Sequence, residues 1–480
     1  MKSRTLILAA LSVTAAAVAG AAAAGEKPVD RAPWHDADAQ VSDDLRKVTV
    51  PKGFGRPKGA ILISNARLFD GTGAAARPAA ILIVDGVIAR IGPNAASLQA
   101  PKDAIAIDAA GRTVMPGLID LHTHLTYQDG GDATSSSARA TMSSAALRGQ
   151  ERLRYFVESG VTSVRDAASE GDTPFELKQW VMMGRIPGPR IFPVGQLITG
   201  IGGHGTEGGQ STAPSNPDSM LYEANGPDGF REAVRIQFKR GADWIKLASH
   251  YSADEVKAAV DEAHALGLRV MVDSETNYIQ LAVEAGADCI EHPLPRTDET
   301  IKLMASKGTC SDITLVPYQY INAGGGYNFS TSRRFSETDA NNFATAKRLD
   351  AAGVKIGIGT DLVVDWYRYL PDAYIQELRN YETLGHTASQ ALVEATKINS
   401  EILGMSDRLG TIEAGKLADL IIVDGRPDQD VNDLAKLDRV IVNGRLVVEG
   451  GHVVYARHTQ NKPLFTTGPT TSKPPGAASR

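Results

Sequence analysis

Residues 115–125 read Met115-Pro116-Gly117-Leu118-Ile119-Asp120-Leu121-His122-Thr123-His124-Leu125. A Pro-Gly break opens the stretch, an apolar run follows, and two histidines with one residue between them end it. On a β-strand, residues two apart project from the same face. Both imidazoles therefore leave one strand end together, which suits two ligands of a single metal ion. A His-x-His pair alone carries little weight. Its place at the C-terminal end of a buried strand is where a (β/α)8 barrel gathers its chemistry.

Outward from this strand, apolar runs alternate with helical patterns, which argues a parallel sheet. The runs are 117–124, 161–167, 190–197, 244–249, 269–274, 289–292, 314–318 and 354–360. Eight strands in this arrangement predict an α/β chain folded as a (β/α)8 TIM barrel. A helix is expected over 252–266, opened by a capping box of Ser252 and Glu255 and stopped by Gly267. A second helix, over 388–403, is expected to close the barrel.

Beyond the barrel, short Val/Ile-rich runs broken by Asp-Gly, Asn-Gly and Gly-Gly turns occur at 60–107 and again after residue 410. Two β-rich segments flanking one α/β stretch predict a small composite β-sandwich built from both ends of the chain. The expected division is a signal peptide at 1–24, an arm at 25–57, the sandwich at 58–114 and 406–458, the barrel at 115–405, and a disordered tail at 459–480.

The leader begins with Lys2 and Arg4, continues through an apolar core and ends in an alanine-rich stretch near Ala24. It reads as a signal for export, to the periplasm or outside the cell. No later apolar run approaches membrane-spanning length. The formal net charge is -6, without basic blocks, so nucleic acid is not an expected partner. A small-molecule substrate is, and a homo-oligomer is open. The two cysteines, Cys289 and Cys310, start apolar runs read as neighbouring strands. Export permits a disulfide, but two buried thiols are the favoured expectation.

The strand ends supply polar residues in order. Lys246 lies inside the apolar run Asp243-Trp244-Ile245-Lys246-Leu247. An inward lysine is costly unless neutralised or paired, and desolvation favours the neutral, reactive amine. The alternative is a lysine reaching out to the barrel mouth. His292 ends Cys289-Ile290-Glu291-His292, and Asp361 ends Gly357-Ile358-Gly359-Thr360-Asp361. A carboxylate at such a place can hold a metal and take a proton from water.

With these motifs the chain resembles the metal-dependent amidohydrolases, in the branch of imidazolonepropionase-like enzymes, carboxypeptidase-like prolidases and ochratoxin amidohydrolases. The resemblance covers most of residues 58–455. It implies two divalent ions, with zinc the expectation, held by His122, His124, Lys246, His292 and Asp361. It further implies that Lys246 captures carbon dioxide as a carbamate bridging the ions.

One position departs from that pattern. The histidine expected on the fifth strand is missing, and the chain reads Val270-Met271-Val272-Asp273-Ser274-Glu275. Asp273, or failing it Glu275, is the expected replacement, since carboxylates also bind zinc. Solvated strand-end acids are the alternative.

His204, in a Gly-rich loop, is a candidate substrate contact, or a plain loop histidine. His250 and Tyr251 are candidates for polarising a substrate carbonyl or holding a carboxylate, or for loop packing. Arg165 and Asp166 read as a structural ion pair, and Tyr318 and Tyr320 as pocket lining. His264 and His386 read as surface residues.

These readings predict hydrolysis of an amide C–N bond in a small molecule such as a dipeptide or N-acyl amino acid. A water bridging the ions would attack, with Asp361 passing its proton to the leaving nitrogen. A cyclic-amide hydrolase or deaminase-like enzyme with one metal is the second reading. A periplasmic small-molecule-binding barrel is the third.

Overall fold

A computed structural model describes residues 57–127, 141–206, 218–324 and 337–455. The expected leader, the tail and all but the end of the arm lie outside them. Among the described residues, no helix is long and apolar enough to cross a membrane.

The strand Leu118–Thr123 carries the opening motif. It pairs in parallel with Val161–Asp166, which pairs with Arg190–Pro193. A second parallel series runs Leu197–Gly200, Trp244–Ala248, Arg269–Asp273, Cys289–Glu291, Cys310–Asp312 and Ile356–Gly357. Leu197–Gly200 follows Arg190–Pro193 after three residues, and a parallel bridge from Leu362 to Thr123 links the last strand region to the first. This order is consistent with a closed barrel.

Seven of the eight expected runs overlap these strands. The run 314–318 does not. Its strand is Cys310–Asp312, and Leu315–Ala323 is a helix. Pro317 falls in that helix's first turn, where its missing N–H costs nothing. The expected helix over 252–266 is present as Ala253–Ala265, with the Ser252–Glu255 capping box formed. The stretch 388–403 is helical throughout, with a π-turn at Glu394–Ile398 between α-helical ends.

Both chain ends share one nine-stranded sheet, joined where Thr113–Pro116 pairs antiparallel with Leu420–Val423. Two ion pairs tie distant segments here. Arg67 grips Asp428 through two nitrogens at 2.7 and 2.8 Å, and Arg190 is buried against Asp419 at 3.1 Å.

Strand periodicity sets two layers inside the parallel strands. Trp244, Met271, Cys289 and Cys310 belong to an apolar cluster with Leu121, Phe192 and Ile402. Two residues further on each of these four strands stand Lys246, Asp273, Glu291 and Asp312, all buried. Alternation puts each pair on one face, so a charged layer lies next to an apolar one. Cys289 and Cys310 face each other across their strands and form a disulfide. This corrects the expectation of two thiols: the register places their Cα atoms 4.4 Å apart, within reach of a bridge.

Candidate active site

The charged layer and the strand ends above it bring six predicted residues into one buried cluster. His122 Nε2 lies 3.1 Å from Lys246 Nζ and 3.6 Å from Asp361 Oδ1. His124 Nε2 is 3.3 Å from the same oxygen. His292 Nε2 is 3.2 Å from Asp273 Oδ2, which is 3.5 Å from Lys246 Nζ. Lys246 is 2% exposed, so it stays inside rather than reaching the mouth. Asp273 also belongs to the cluster, whereas Glu275 faces His250 at 3.9 Å.

Each imidazole turns one nitrogen inward and has a partner for the other. His122 Nδ1 is 2.8 Å from Glu291 Oε2, His124 Nδ1 is 3.0 Å from the Ala168 carbonyl, and His292 Nδ1 is 2.8 Å from Thr314 Oγ1. Such outer contacts fix ring orientation and tautomer. The main chain is held as firmly. Asp120 receives the N–H groups of His122 and Thr360, which aligns the first and last strands. Tyr367 donates to the His124 carbonyl at 2.6 Å, and Arg152 reaches the same oxygen.

His292 and Asp361 both adopt left-handed backbone, with φ of 67° and 43°. Side chains rarely accept that region, and it recurs where function constrains a residue. Their amides are anchored to the Asp312 and His122 carbonyls at 2.7 and 2.8 Å. Gly359 makes the close approach of the last strand possible. A Cβ there would stand 2.8 Å from the His122 nitrogen and strike the Asp312 carboxylate.

Burial, and then the charge of Lys246, hold His122 well below the usual imidazole range, so its ring is neutral. Burial alone would raise Asp361. The hydrogen bond with His124 and the charges of His292, His124 and Lys246 outweigh it and keep the carboxyl below its ordinary value. Asp120 is pushed up to about 7 by burial, against its hydrogen bonds to Thr360 and His122.

The other predicted residues separate. His204 Nε2 is 3.6 Å from Asp273 Oδ2, at the edge of the cluster. Its loop packs so closely on Ser249 and His250 that a Cβ on Gly203 would collide with their backbone. His250 is exposed and packs edge-on against Tyr278. Tyr251 is buried, and its hydroxyl is engaged by Ser274 Oγ at 2.7 Å and by the Tyr278 carbonyl at 2.9 Å. Tyr318 is buried with its ring edge-on to His292, while Tyr320 packs against Trp366 and Tyr369.

Arg165 and Asp166 do not pair. Adjacent strand residues face opposite ways: Arg165 meets Glu291 at 2.9 Å, and Asp166 receives the Leu125 N–H. His264 and His386 are partly exposed and stand 2.9 and 3.5 Å from Asp288 and Asp350.

The donors fit a divalent ion. Ligand atoms of His122, His292 and Asp361 all lie within 4.8 Å of one another, and imidazole with carboxylate is a donor set that zinc accepts. A second group, His122, Glu291 and Asp312, also converges. Arg165 already supplies the cation there, 2.9 Å from Glu291 and 3.5 Å from Asp312.

Residues 113–447 match the amidohydrolase family. The chain belongs to that family. Among curated relatives, an imidazolonepropionase of Geobacillus sp. (strain WCH70) is 25% identical over 78% of this chain and 91% of its own. An ochratoxinase of Aspergillus niger is 28% identical over 76% of this amidohydrolase and 81% of its own length. Among solved structures, a prolidase complexed with N-methylphosphonate-L-proline aligns with a TM-score of 0.73 at 29% identity, covering 81% of this chain and all of the other. The family and these relatives make the chain a hydrolase acting on C–N bonds.

Proposed function

We propose that this amidohydrolase is an exported, metal-dependent enzyme that cleaves the amide bond of a small molecule such as a dipeptide or N-acyl amino acid. The observation that carries the reading is the convergence of His122, His124, Lys246, Asp273, His292 and Asp361 in one buried cluster. The ochratoxinase and prolidase relatives support the amide class. In this reading the parallel strands close as a (β/α)8 barrel, and the nine-stranded sheet is the composite β-sandwich. The leader at 1–24 directs the chain to the periplasm or the medium.

His122, His124 and Asp361 would hold one ion, and Asp273 and His292 a second, with Lys246 between them as a carbamate formed with carbon dioxide. When bound, such ions, zinc by preference, lower the pKa of a water and polarise the carbonyl it attacks. The protein's own part is proton transfer and placement. Asp361, kept ionised by its neighbours, takes the water's proton on a carboxylate oxygen and returns it to the leaving nitrogen. His204, at the cluster's edge, and exposed His250 contact the substrate, and buried Tyr251 packs against Tyr278, on which His250 rests.

A mononuclear cyclic-amide hydrolase is the second reading. It is favoured by the His122–His292–Asp361 group, which suffices for one ion. Metal analysis of zinc-grown protein, together with hydrolysis of dipeptides, N-acyl amino acids and cyclic amides, separates the two. Two ions per chain and turnover of linear amides are expected. One ion with cyclic substrates alone selects the second reading. Metal-free protein without turnover overturns both.

A further inference from the structure

Glu291 is as buried as any residue in the molecule, and its carboxylate touches no predicted ligand except His122. Oε2 lies 2.8 Å from His122 Nδ1, and Arg165 donates one nitrogen to Oε1 and Oε2 at 2.9 and 3.0 Å. Arg165 is itself fixed. Its Nε donates to the Leu121 carbonyl at 2.6 Å, and its guanidinium lies 4.7 Å above the Trp244 ring. A backbone carbonyl and an aromatic face thus hold Arg165, Arg165 holds Glu291, and Glu291 meets His122.

The chemistry of the contact fixes a proton. Both Glu291 oxygens already accept the Arg165 N–H, so the carboxyl group meets His122 as an acceptor too; His122 then places its hydrogen on Nδ1 and leaves the Nε2 lone pair facing Lys246 and Asp361. The other two imidazoles have neutral partners, a carbonyl for His124 and a hydroxyl for His292. A hydrogen bond to an anion is shorter and stronger than one to a neutral group, and it makes the ring a better donor.

We propose that Glu291 is the positioning residue of the centre: anchored by Arg165, it fixes the Nδ1–H tautomer and the rotation of His122, and so presents Nε2 to a metal ion. This rests on the metal-dependent reading above.

A glutamine cannot replace it. Whichever way the amide is turned, its NH2 group faces a donor, either the His122 Nδ1–H or the Arg165 guanidinium. Asp312 is the natural control. It is buried in the same charged layer beside Arg165, 3.5 Å away, and makes no hydrogen bond to His122.

The test uses the full chain stripped of metal, with zinc as the probe. Titration should show Glu291→Gln weakening zinc binding about 10- to 100-fold, and Asp312→Asn weakening it less. Independently of any variant, 15N-histidine labelling of the metal-free protein should assign His122 to the Nδ1–H tautomer, with its N–H proton far downfield. A wild-type Nε2–H tautomer overturns the proposal even if Glu291→Gln fails to fold. Equal zinc affinity in Glu291→Gln and wild type, or equal loss in Asp312→Asn, overturns it while leaving metal dependence intact. Wild-type protein that binds no zinc overturns the metal reading and this proposal together.

Discussion

Asp273 Oδ2 lies 3.2 Å from His292 Nε2, at the strand position where resembling enzymes are expected to carry an imidazole. The exchange adds a negative charge beside Lys246 and His292. If Asp273 ligates, Asp273→Asn removes a charged donor and should lower the metal content by about one ion per chain. The accompanying loss in kcat/KM should exceed the roughly 100-fold ceiling seen for outer-shell partners. Asp273→His should keep two ions, since it restores a neutral zinc ligand. Metal analysis of the three proteins checks this, and an unchanged ion count in Asp273→Asn would exclude ligation.

Lys246 is expected to work as a carbamate. The reaction joins its neutral amine to carbon dioxide and releases one proton, leaving one negative charge shared by two oxygens on the side chain. Protein reconstituted with 13C-bicarbonate and zinc should show a carbamate carbon by NMR that is missing from Lys246→Ala. That variant should lose more activity than the roughly 100-fold seen for outer-shell partners and regain part of it in acetate or propionate, which place a free carboxylate in the vacated space. A wild-type spectrum without the carbamate signal sinks the idea.

The parts of this architecture that follow from local rules were legible in the chain. The His-x-His strand, the buried lysine and the capped helix after Ser252 rest on periodicity and caps. The seventh strand of the series is expected at 314–318, although Cys310 is read as starting a strand, because two of its three residues, Ser311 and Asp312, are polar yet fully buried and the apolar pattern shifts to the helix beyond. Glu291 escaped because its importance lies in a partner 169 positions away. A clue did exist: Glu291 and Asp312 each stand two residues after a cysteine read as a strand start, as Lys246 stands two after Trp244. A period of two does not separate Asp273 from Glu275, which share the parity of Met271; what separates them is that the strand ends at Asp273 and Glu275 lies beyond it, facing His250.

His264 gives a pH signature remote from the cluster. Its Nε2 meets Asp288 at 2.9 Å, while Asp288 also receives the Val270 N–H at 2.8 Å. The hydrogen bond to Asp288, opposed by partial burial, raises the His264 pKa above 6.5. A raised folded-state pKa stabilises fully below the unfolded value and loses the effect as pH rises through the folded value. The destabilisation caused by His264→Gln should therefore be largest below about pH 6.5, near 1 kcal/mol after discounting for solvent, and shrink at higher pH. Urea unfolding of both proteins across pH 5–9 measures it, and a difference that grows with pH contradicts the pairing.

The Cys289–Cys310 bridge closes a loop with a sequence separation of 21, for which chain entropy predicts about 3 kcal/mol. It joins the strand that ends at Glu291, just before His292, to the strand preceding Thr314, the Nδ1 partner of His292. Loss of the bridge should therefore act on the site as well as on stability. The double variant Cys289→Ser/Cys310→Ser should unfold at lower urea than wild type and bind zinc less tightly, because the His292–Thr314 contact spans the two strands the bridge joins. Thiol titration of denatured, unreduced wild type should find no free thiol, and both sulfurs lie in the apolar layer, so reductant should act slowly on the native chain. Two free thiols in that titration, or identical urea midpoints for the two proteins, would contradict a bridge that supports this face of the site.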